Sequence, residues 1–261
     1  MKKILMIILS LSVFGLVLSV YSVNTLKSSM TQHQKETRTL RNTNRMINSN
    51  RKQWDKQIAN ADVIESNELK NDGEPIASSL EQLQNHSKLV IEGTVYNLQK
   101  MNSSKNMAYT KVELHIDKVI SGDKDIQGKR IYLAMAGGLV SFDHWYANMS
   151  KPKDFNHEIL VNIEEAPLPK IGSKIITGVI PNVIDESSEY NDALKQSGFT
   201  INNSYAISNQ QYNVWIKNPG KKKYVLNNTK VNKRAAKNND LTKALQKLTD
   251  QINKKYNEKG R

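Results

Sequence analysis

Residues 110–123, TKVELHIDKVISGD, decide the fold of this chain. Apolar and polar side chains alternate from Thr110 to Asp117, which is the pattern of a β-strand with one buried face. The alternation changes phase at 118–120, and such a change predicts a β-bulge. Ser, Gly and Asp follow at 121–123, so the strand is expected to end there in a turn.

Shorter apolar runs on both sides of this stretch predict four more strands. They cover residues 89–95, 131–135, 159–163 and 175–180. Gly93 lies near the middle of the first run, where a barrel strand can coil because no side chain is in the way. Five short strands separated by turn residues favour a small closed or partly open β-barrel.

An apolar seam with helical spacing precedes the β-rich part. Leu40, Ile47, Trp54 and Ile58 recur on one side of a helix predicted between about 34 and 60. The seam is too thin for a coiled-coil stalk, which needs more apolar positions. We expect it to pack on the body or to lie along a membrane surface.

Helical periodicity returns in the C-terminal third. A helix predicted within residues 185–196 ends at Gly198, and the NPGK sequence at 218–221 predicts a type II turn inside a β-hairpin. An apolar stripe then runs along residues 241–256. Two interpretations of this stripe stay open, since it can pack on its own domain or dock on a membrane or partner protein.

The N-terminus carries an export or anchoring signal. Residues 4–23 read ILMIILSLSVFGLVLSVYSV, without a charge, and follow Lys2 and Lys3. A helix of this length spans a hydrocarbon core of about 30 Å. We predict an uncleaved, single-pass signal-anchor in the cell membrane with an extracytoplasmic body. The alternatives are a cleaved signal peptide, which would release the protein, and an inverted orientation with a cytoplasmic body.

Positive charge is concentrated at both ends of the chain. The first 60 residues hold 10 Lys/Arg and 2 Asp/Glu, and residues 217–261 hold 14 and 3. The part between them holds 14 and 20, so it is mildly acidic although the formal net charge is +13. Basic segments attract polyanions, which predicts anionic lipid or teichoic acid as a partner. The alternative is that these lysines only keep the ends solvated.

These patterns divide the chain into four segments. They are a signal-anchor or signal peptide at 1–23, a basic helical stalk and connector at 24–85, a β-rich body at 86–230 and a basic C-terminal helical tail at 231–261. The predicted fold class is α+β. It consists of a small, mainly antiparallel β-barrel body with an N-terminal membrane or stalk helix and a C-terminal amphipathic helix.

Residue types that carry catalysis are few. The chain has 5 His and no Cys, which excludes disulfides, zinc–thiolate sites and a thiol nucleophile. One segment gathers ligand-type groups, namely Asp143, His144, Asp154, His157 and Glu158. Their spacing matches no metal motif. We therefore predict no enzymatic activity, no metal and no cofactor, and the alternative is a wall-polymer hydrolase that uses the 143–158 loop.

The predicted hairpin interleaves aromatic and basic side chains. The candidate ligand-binding residues are Tyr212, Trp215, Lys217, Lys221, Lys222, Lys223 and Tyr224. Such a patch on a barrel can bind single-stranded nucleic acid or a glycan. Because the export segment places the body away from nucleic acid, we expect a glycan or teichoic acid and no nucleic acid.

Four stretches resemble a pattern of exported or membrane-anchored proteins of Gram-positive bacteria. They are VIEGTV at 90–95, TKVELHIDKVISGD at 110–123, GKRIYLAMAGG at 128–138 and PLPKIGSK at 167–174. The resemblance covers roughly a third of the chain, and its motifs are turns and strand patterns. It implies a small OB-like β-barrel outside the cell and implies no reaction.

The sequence thus predicts a membrane-anchored, extracytoplasmic and non-enzymatic binding or accessory module of the cell envelope. A structural partner of another membrane protein is a further alternative, in which residues 241–256 would be the docking element.

Overall fold

The computed structural model describes residues 34–35, 37–66, 75–151, 153–154, 156–234 and 240–257. The chain forms two compact units, residues 1–46 and residues 47–261. The predicted signal-anchor or signal peptide at 1–23 lies outside the described residues. Among the helices that are described, none is both long enough and apolar enough to cross a bilayer.

The body alternates strands with short helices. The strands are β1 (Asp62–Ser66), β2 (Leu89–Lys100), β3 (Tyr109–Ser121), β4 (Arg130–Ala136), β5 (Gly138–Ser141), β6 (Glu158–Ile163), β7 (Lys174–Pro181), β8 (Ser204–Ile207), β9 (Val214–Lys217) and β10 (Val225–Leu226). The helices are α1 (residues 37–58), α2 (Leu80–Asn85), α3 (Phe142–Trp145), α4 (Glu189–Gln196), α5 (Thr229–Arg234) and α6 (Asp240–Tyr256).

Five of these strands close into a barrel. β2 pairs with β3, β3 with β4, β4 with β8, β8 with β7 and β7 with β2, so the ring returns to its first strand. The β4–β8 pairing is parallel and the other pairings of the ring are antiparallel. The predicted α+β fold with a small barrel is confirmed.

One of the five barrel strands is not the strand that was predicted. The apolar run at 159–163 does form a strand, β6, but it pairs with β5 and β1 in a separate three-stranded sheet. The fifth barrel strand is β8, which has only four residues and no long apolar run. Alternation predicts that a segment is extended, but it does not specify which strand will be its neighbour.

The predicted stalk and connector at 24–85 also contains a strand. β1 pairs in parallel with β6 across its whole length, from Asp62 opposite Ile159 to Ser66 opposite Ile163. Its five residues, DVIES, carry only two apolar side chains. The strand was missed because its main-chain pairing with β6 defines it, and the sequence contains no pattern for that pairing.

The long strand β3 bends as its sequence predicts. Between Val90 and Ile91 the register of β2 against β3 shifts by one residue, which leaves Ile120 as the extra residue of a β-bulge. Gly93 lies at a second shift, where a Cβ would come within 2.7 Å of the His115 carbonyl oxygen. Only glycine allows the two strands to approach this closely.

Alternate residues of the barrel strands fill its interior. On β3 these are Val112, Leu114 and Ile116, and on β4 they include Leu133 and Met135. All of them are buried, as one face of a closed sheet must be. The barrel is therefore a packed core and not a ligand cavity.

The C-terminal helix packs on the outside of this core. Leu245, Leu248 and Ile252 belong to one buried cluster with side chains of β2, β7 and β9. Trp215 donates a hydrogen bond from Nε1 to Oγ1 of Thr249 at 3.0 Å. The interpretation in which the stripe at 241–256 packs on its own domain is therefore confirmed, and its apolar face is occupied by the body.

Short-range signals at turns and helix ends are also confirmed. α4 ends at Gln196, and Gly198, whose φ is +75°, follows the C-cap residue Ser197. In the hairpin turn, the amide of Lys221 donates to the carbonyl of Asn218 at 2.9 Å.

Candidate functional site

An open cleft of about 650 Å³ lies in the unit formed by residues 47–261. Its walls come from α1, from strands β1, β2 and β6, from the loop at 167–171 and from the turn at 218–221. The volume falls within the range of roughly 300–1,000 Å³ that is usual for sites of small organic ligands. This cleft is the candidate functional site.

Hydrogen bonds fix the α1 wall of the cleft. Asn50 donates from Nδ2 to the carbonyl of Tyr96 at 2.9 Å. Arg51 donates to the carbonyl of Ile171 from Nε at 3.2 Å and from Nη2 at 2.9 Å. These bonds tie the helix to β2 and to the 167–171 loop, so three walls hold a defined spacing.

A glycine permits this close approach of helix and loop. Gly172 has φ +91°, a conformation that few residues with a side chain adopt. A Cβ at this position would lie 2.7 Å from Nη2 of Arg51 and 3.3 Å from a methyl carbon of Ile47. The PLPKIGSK motif at 167–174 therefore contributes both a wall of the cleft and the contact that seats α1.

The inner surface of the cleft is mainly apolar. The apolar lining residues are Trp54, Ile58, Val63, Leu98, Leu160, Val161, Pro167, Leu168, Pro169, Ile171 and Pro219. Val63 is 61% exposed although it is a large aliphatic residue in a strand. Trp54 and Leu98 are 7% and 4% exposed, so they form buried walls while Val63 is open to solvent. A concave surface with mainly apolar walls is typical of ligand-binding sites.

Cations outnumber anions around this apolar surface. Arg51, Lys170 and Lys221 line the cleft together with one carboxylate, Asp55. Lys170 and Lys221 are exposed, and neither forms an ion pair with any described residue. We call Arg51, Lys170 and Lys221 the cationic rim. An anionic group would be attracted to this rim.

The aromatic half of the predicted hairpin patch lies in the core. Trp215 is 0% and Tyr224 is 1% exposed, and both belong to the cluster under α6. Tyr224 donates from its hydroxyl to Oε1 of Glu92 at 2.7 Å. Tyr212 is half-buried against the same cluster. Because the rings of Trp215 and Tyr224 present no face to solvent, they cannot stack on a ligand.

The basic half of that patch is divided. Lys217 lies 4.6 Å from the centroid of the Tyr224 ring and contacts Oδ1 of Asn257 at 3.3 Å, so it is engaged within the body. Lys222 and Lys223 are exposed and do not line the cleft. Of the seven predicted residues, Lys221 alone is a lining residue of the cleft.

The histidines of the 143–158 segment bind separate partners. Nε2 of His144 lies 2.7 Å from the carbonyl oxygen of Ser103. His157 contacts Oδ2 of Asp62 from Nε2 at 3.0 Å and Oδ2 of Asp154 from Nδ1 at 3.6 Å. The two rings are therefore directed to different neighbours, on the loop after β2 in one case and on β1 in the other.

The carboxylates of this segment are engaged in a similar way. Glu158 forms an ion pair with Lys100 at 2.7 Å, and Oδ1 of Asp143 accepts from the amide of Asp154 at 2.8 Å. Within the described part of the chain, no three His, Asp or Glu side chains come together as metal ligands would.

A second apolar surface of the barrel, the outer face of β3 and β4, is covered by the chain itself. Phe199, which follows α4, is 3% exposed. Lys111 on β3 lies 4.0 Å from the centroid of the Tyr132 ring and 5.2 Å from that of Phe199. Its Nζ also donates to the carbonyl of Ser197 at 2.7 Å, just after the C-terminus of α4. We call this the covered face.

Burial at the covered face shifts the pKa values of two groups. Burial raises the pKa of Tyr190 to about 12, because the charged phenolate would lose its water. Burial also lowers the pKa of Lys111 below its ordinary value, against a smaller opposing effect of Glu113. The rings of Tyr109 and Tyr190 meet edge to face at 5.6 Å, which adds to the packing of this surface.

Sequence reasoning missed the cleft because its walls are distant along the chain. Two signals were present, namely the seam residue Trp54 and the prolines at 167 and 169. The first predicted packing on the body, and the second marked a resemblance motif. Neither signal could show that the two segments face each other across an open space.

Comparison of the chain with protein-family models, with curated proteins and with solved structures found no match.

Proposed function

We propose that this chain is a non-enzymatic binding or accessory module of the cell envelope. In this proposal residues 4–23 anchor the protein in the membrane, the body lies on the extracytoplasmic side, and the cleft is the binding site. The observation that carries the proposal is an open, mainly apolar cleft with three cations around it. A site of this kind can hold a ligand, and it does not need a catalytic group.

The order of the barrel strands supports an OB-like architecture. In chain order the barrel strands are β2, β3, β4, β7 and β8. Around the ring their order is β2, β3, β4, β8 and β7, so the last two strands are exchanged. Five strands with one return connection across the barrel are the Greek-key arrangement of OB-folds. β5, α3 and β6 are inserted between the third and fourth barrel strands.

The covered face supports a ligand site away from the usual OB surface. OB-folds bind oligonucleotides and oligosaccharides on the face of their second and third strands. These strands correspond here to β3 and β4, whose outer residues Lys111 and Tyr132 lie under Phe199. A single-stranded nucleic acid would have to displace this packing, whereas a ligand of the cleft would not.

A binding experiment tests the envelope proposal directly. The full chain is reconstituted in phosphatidylcholine nanodiscs and titrated with teichoic acid or with phosphatidylglycerol vesicles at low and high salt. We expect binding that weakens as salt rises, because the basic ends and the cationic rim both favour polyanions. Absence of binding to both probes at low salt would contradict the proposal, and breakdown of the wall polymer would indicate an enzyme.

Protease shaving of intact cells tests the location. If the body faces outward, added protease removes residues after the anchor while an N-terminal fragment stays with the membrane. A new N-terminus near residue 23 would show a cleaved signal peptide and a released protein. Full protection in intact cells, followed by digestion after lysis, would place the body in the cytoplasm and contradict the proposal.

A further inference from the structure

We infer that the cleft binds a single membrane lipid of negative charge, with an acyl chain against the apolar lining and a phosphate at the exposed end of the cationic rim. This inference rests on the proposed function, because it names the ligand class of the same cleft. It goes beyond that function in assigning one lipid molecule to a defined site. Attraction of basic tails to a charged surface would not require such a site.

The apolar lining provides the surface for the chain. Trp54 and Ile58 on α1 face the same cavity as Leu98 on β2 and Leu160 on β6. Val63 lies on the edge strand of the small sheet and remains 61% exposed. Trp54 and Leu98 are only 7% and 4% exposed and form the buried part of this surface, so Val63 is the large hydrophobic side chain of the lining that is most open to water. A flexible acyl chain can fill a cleft of irregular shape and cover the apolar area that remains in water.

The charges at the cleft favour a phosphate. Lys170 and Lys221 are exposed and line the cleft together with the neighbouring prolines, Pro169 and Pro219. Neither lysine has an ion-pair partner among the described residues, which leaves both available for an anion. Three cations against the one carboxylate of Asp55 favour an anionic head group over a zwitterionic one.

Brominated lipids test this inference, because bromine on an acyl chain quenches a nearby tryptophan. The full chain is placed in phosphatidylcholine nanodiscs that contain a small fraction of dibrominated phosphatidylglycerol or, in parallel, of phosphatidylcholine with the same brominated chain. Trp54 lines the cleft and is 7% exposed, whereas Trp215 is 0% exposed under α6. Trp145 is half-buried on α3 and does not line the cleft, so only the part of the quenching that depends on Trp54 reports on the site. We expect stronger quenching by the anionic lipid, and we expect the excess to disappear in Trp54→Phe.

Charge variants test the role of the rim. In the double variant Lys170→Gln and Lys221→Gln, the preference for phosphatidylglycerol should fall by on the order of tenfold. Each lysine near an anionic head group strengthens the binding of that lipid, and the variant removes two of them. The matched control replaces Lys124 and Lys129 by Gln, two exposed lysines away from the cleft. This control makes the same change in net charge and should keep the preference.

A steric and polar variant tests the apolar wall. Val63→Asp places a carboxylate among the lining residues and should abolish the Trp54-dependent quenching. Val183→Asp is the matched control, because Val183 is equally exposed and does not line the cleft. Since both side chains are exposed, neither variant should unfold the body, and circular dichroism checks this.

The outcomes separate the inference from the proposed function. One outcome would overturn the lipid site and leave the envelope function standing. In that outcome anionic vesicles bind with salt sensitivity, but Trp54→Phe, the Lys170→Gln and Lys221→Gln double variant and Val63→Asp all behave like the wild type. Equal quenching by the two brominated lipids would also overturn the inference. If the chain binds neither lipid nor teichoic acid, both proposals fail. Capture of an extended peptide on β1, in place of lipid, would assign the cleft to a protein partner.

Discussion

The barrel carries two apolar surfaces, and the chain treats them differently. On the covered face, Phe199 and the end of α4 pack over Lys111 and Tyr132, so that even a lysine is largely removed from water. At the cleft, α1 and the 167–171 loop meet through Arg51 and Ile171 but leave an open space beside that contact, and Val63 stays exposed. Both surfaces join segments that are distant along the chain, but only one of them leaves space.

The two surfaces contribute to different properties of the molecule, one to the stability of the fold and the other to ligand binding. Contacts at the covered face stabilise the fold and are not available to a ligand. Exposed apolar side chains at the cleft contribute little to stability until something covers them. Substitutions should therefore lower stability at the covered face and change ligand binding at the cleft.

The largest effect is expected for Phe199→Ala. Removal of a buried ring costs about 3 kcal/mol of unfolding free energy, since it leaves a cavity beside Lys111 and Tyr132. Val63→Ala in the cleft should change the same quantity by less than about 0.5 kcal/mol, because Val63 is exposed. Urea denaturation of both variants measures the contrast. Equal losses in the two variants would remove the distinction between the surfaces.

An intermediate effect is expected for Tyr190→Phe at alkaline pH. The folded protein holds the pKa of Tyr190 at about 12, above the ordinary value of 10.0. The stabilisation is present below pH 10 and is lost as pH rises toward 12, because the unfolded chain ionises first. At pH 11 the free energy of unfolding of the wild type should therefore be about 1 kcal/mol lower than at neutral pH, a loss that the Phe variant does not show.

Stability curves of the two proteins at pH 7, 9, 10 and 11 check this expectation. The difference between wild type and variant should be flat up to pH 9 and should then fall. A difference that stays constant over the whole range would show that Tyr190 is not buried between α4 and β3.

The smallest effect is expected for Lys111→Met. The folded pKa of Lys111 is lowered by burial, so between that value and 10.5 the unfolded chain binds more protons than the folded one. The unfolding free energy of the wild type should therefore rise, relative to Lys111→Met, as pH increases from 7 to 10. The slope is opposite in sign to that of Tyr190. If the difference in unfolding free energy between the two proteins stayed flat or fell with pH, Lys111 would be solvated in the folded protein.

Local chemistry explains how far the sequence predicts the fold. The bulge at Ile120, the helix end at Gly198 and the turn closed by Lys221 all depend on neighbours within a few residues, and all were predicted. β1 and β8 were missed, because they are short and depend on main-chain partners far away in sequence. The same reasoning predicted five barrel strands but assigned β6 to the barrel in place of β8.

The candidate site shows the same limit. An interleaved pattern of aromatic and basic residues at 212–224 does not reveal which side chains a later helix will cover. α6 covers Trp215 and Tyr224, and of the predicted residues only Lys221 reaches the lining of the cleft. The cleft itself exists because α1 and the loop at 167–171 meet through Gly172, a contact between segments more than 100 residues apart.

Hydrogen exchange of the full chain tests most directly whether the cleft is the ligand surface. The protein is compared in phosphatidylcholine nanodiscs with and without phosphatidylglycerol. The account predicts slower exchange on addition of the anionic lipid at 51–58, 160–171 and 218–221, and unchanged exchange at 109–134 and 189–199. Protection confined to 109–134 and 189–199, or no protection in any of these segments, would contradict it.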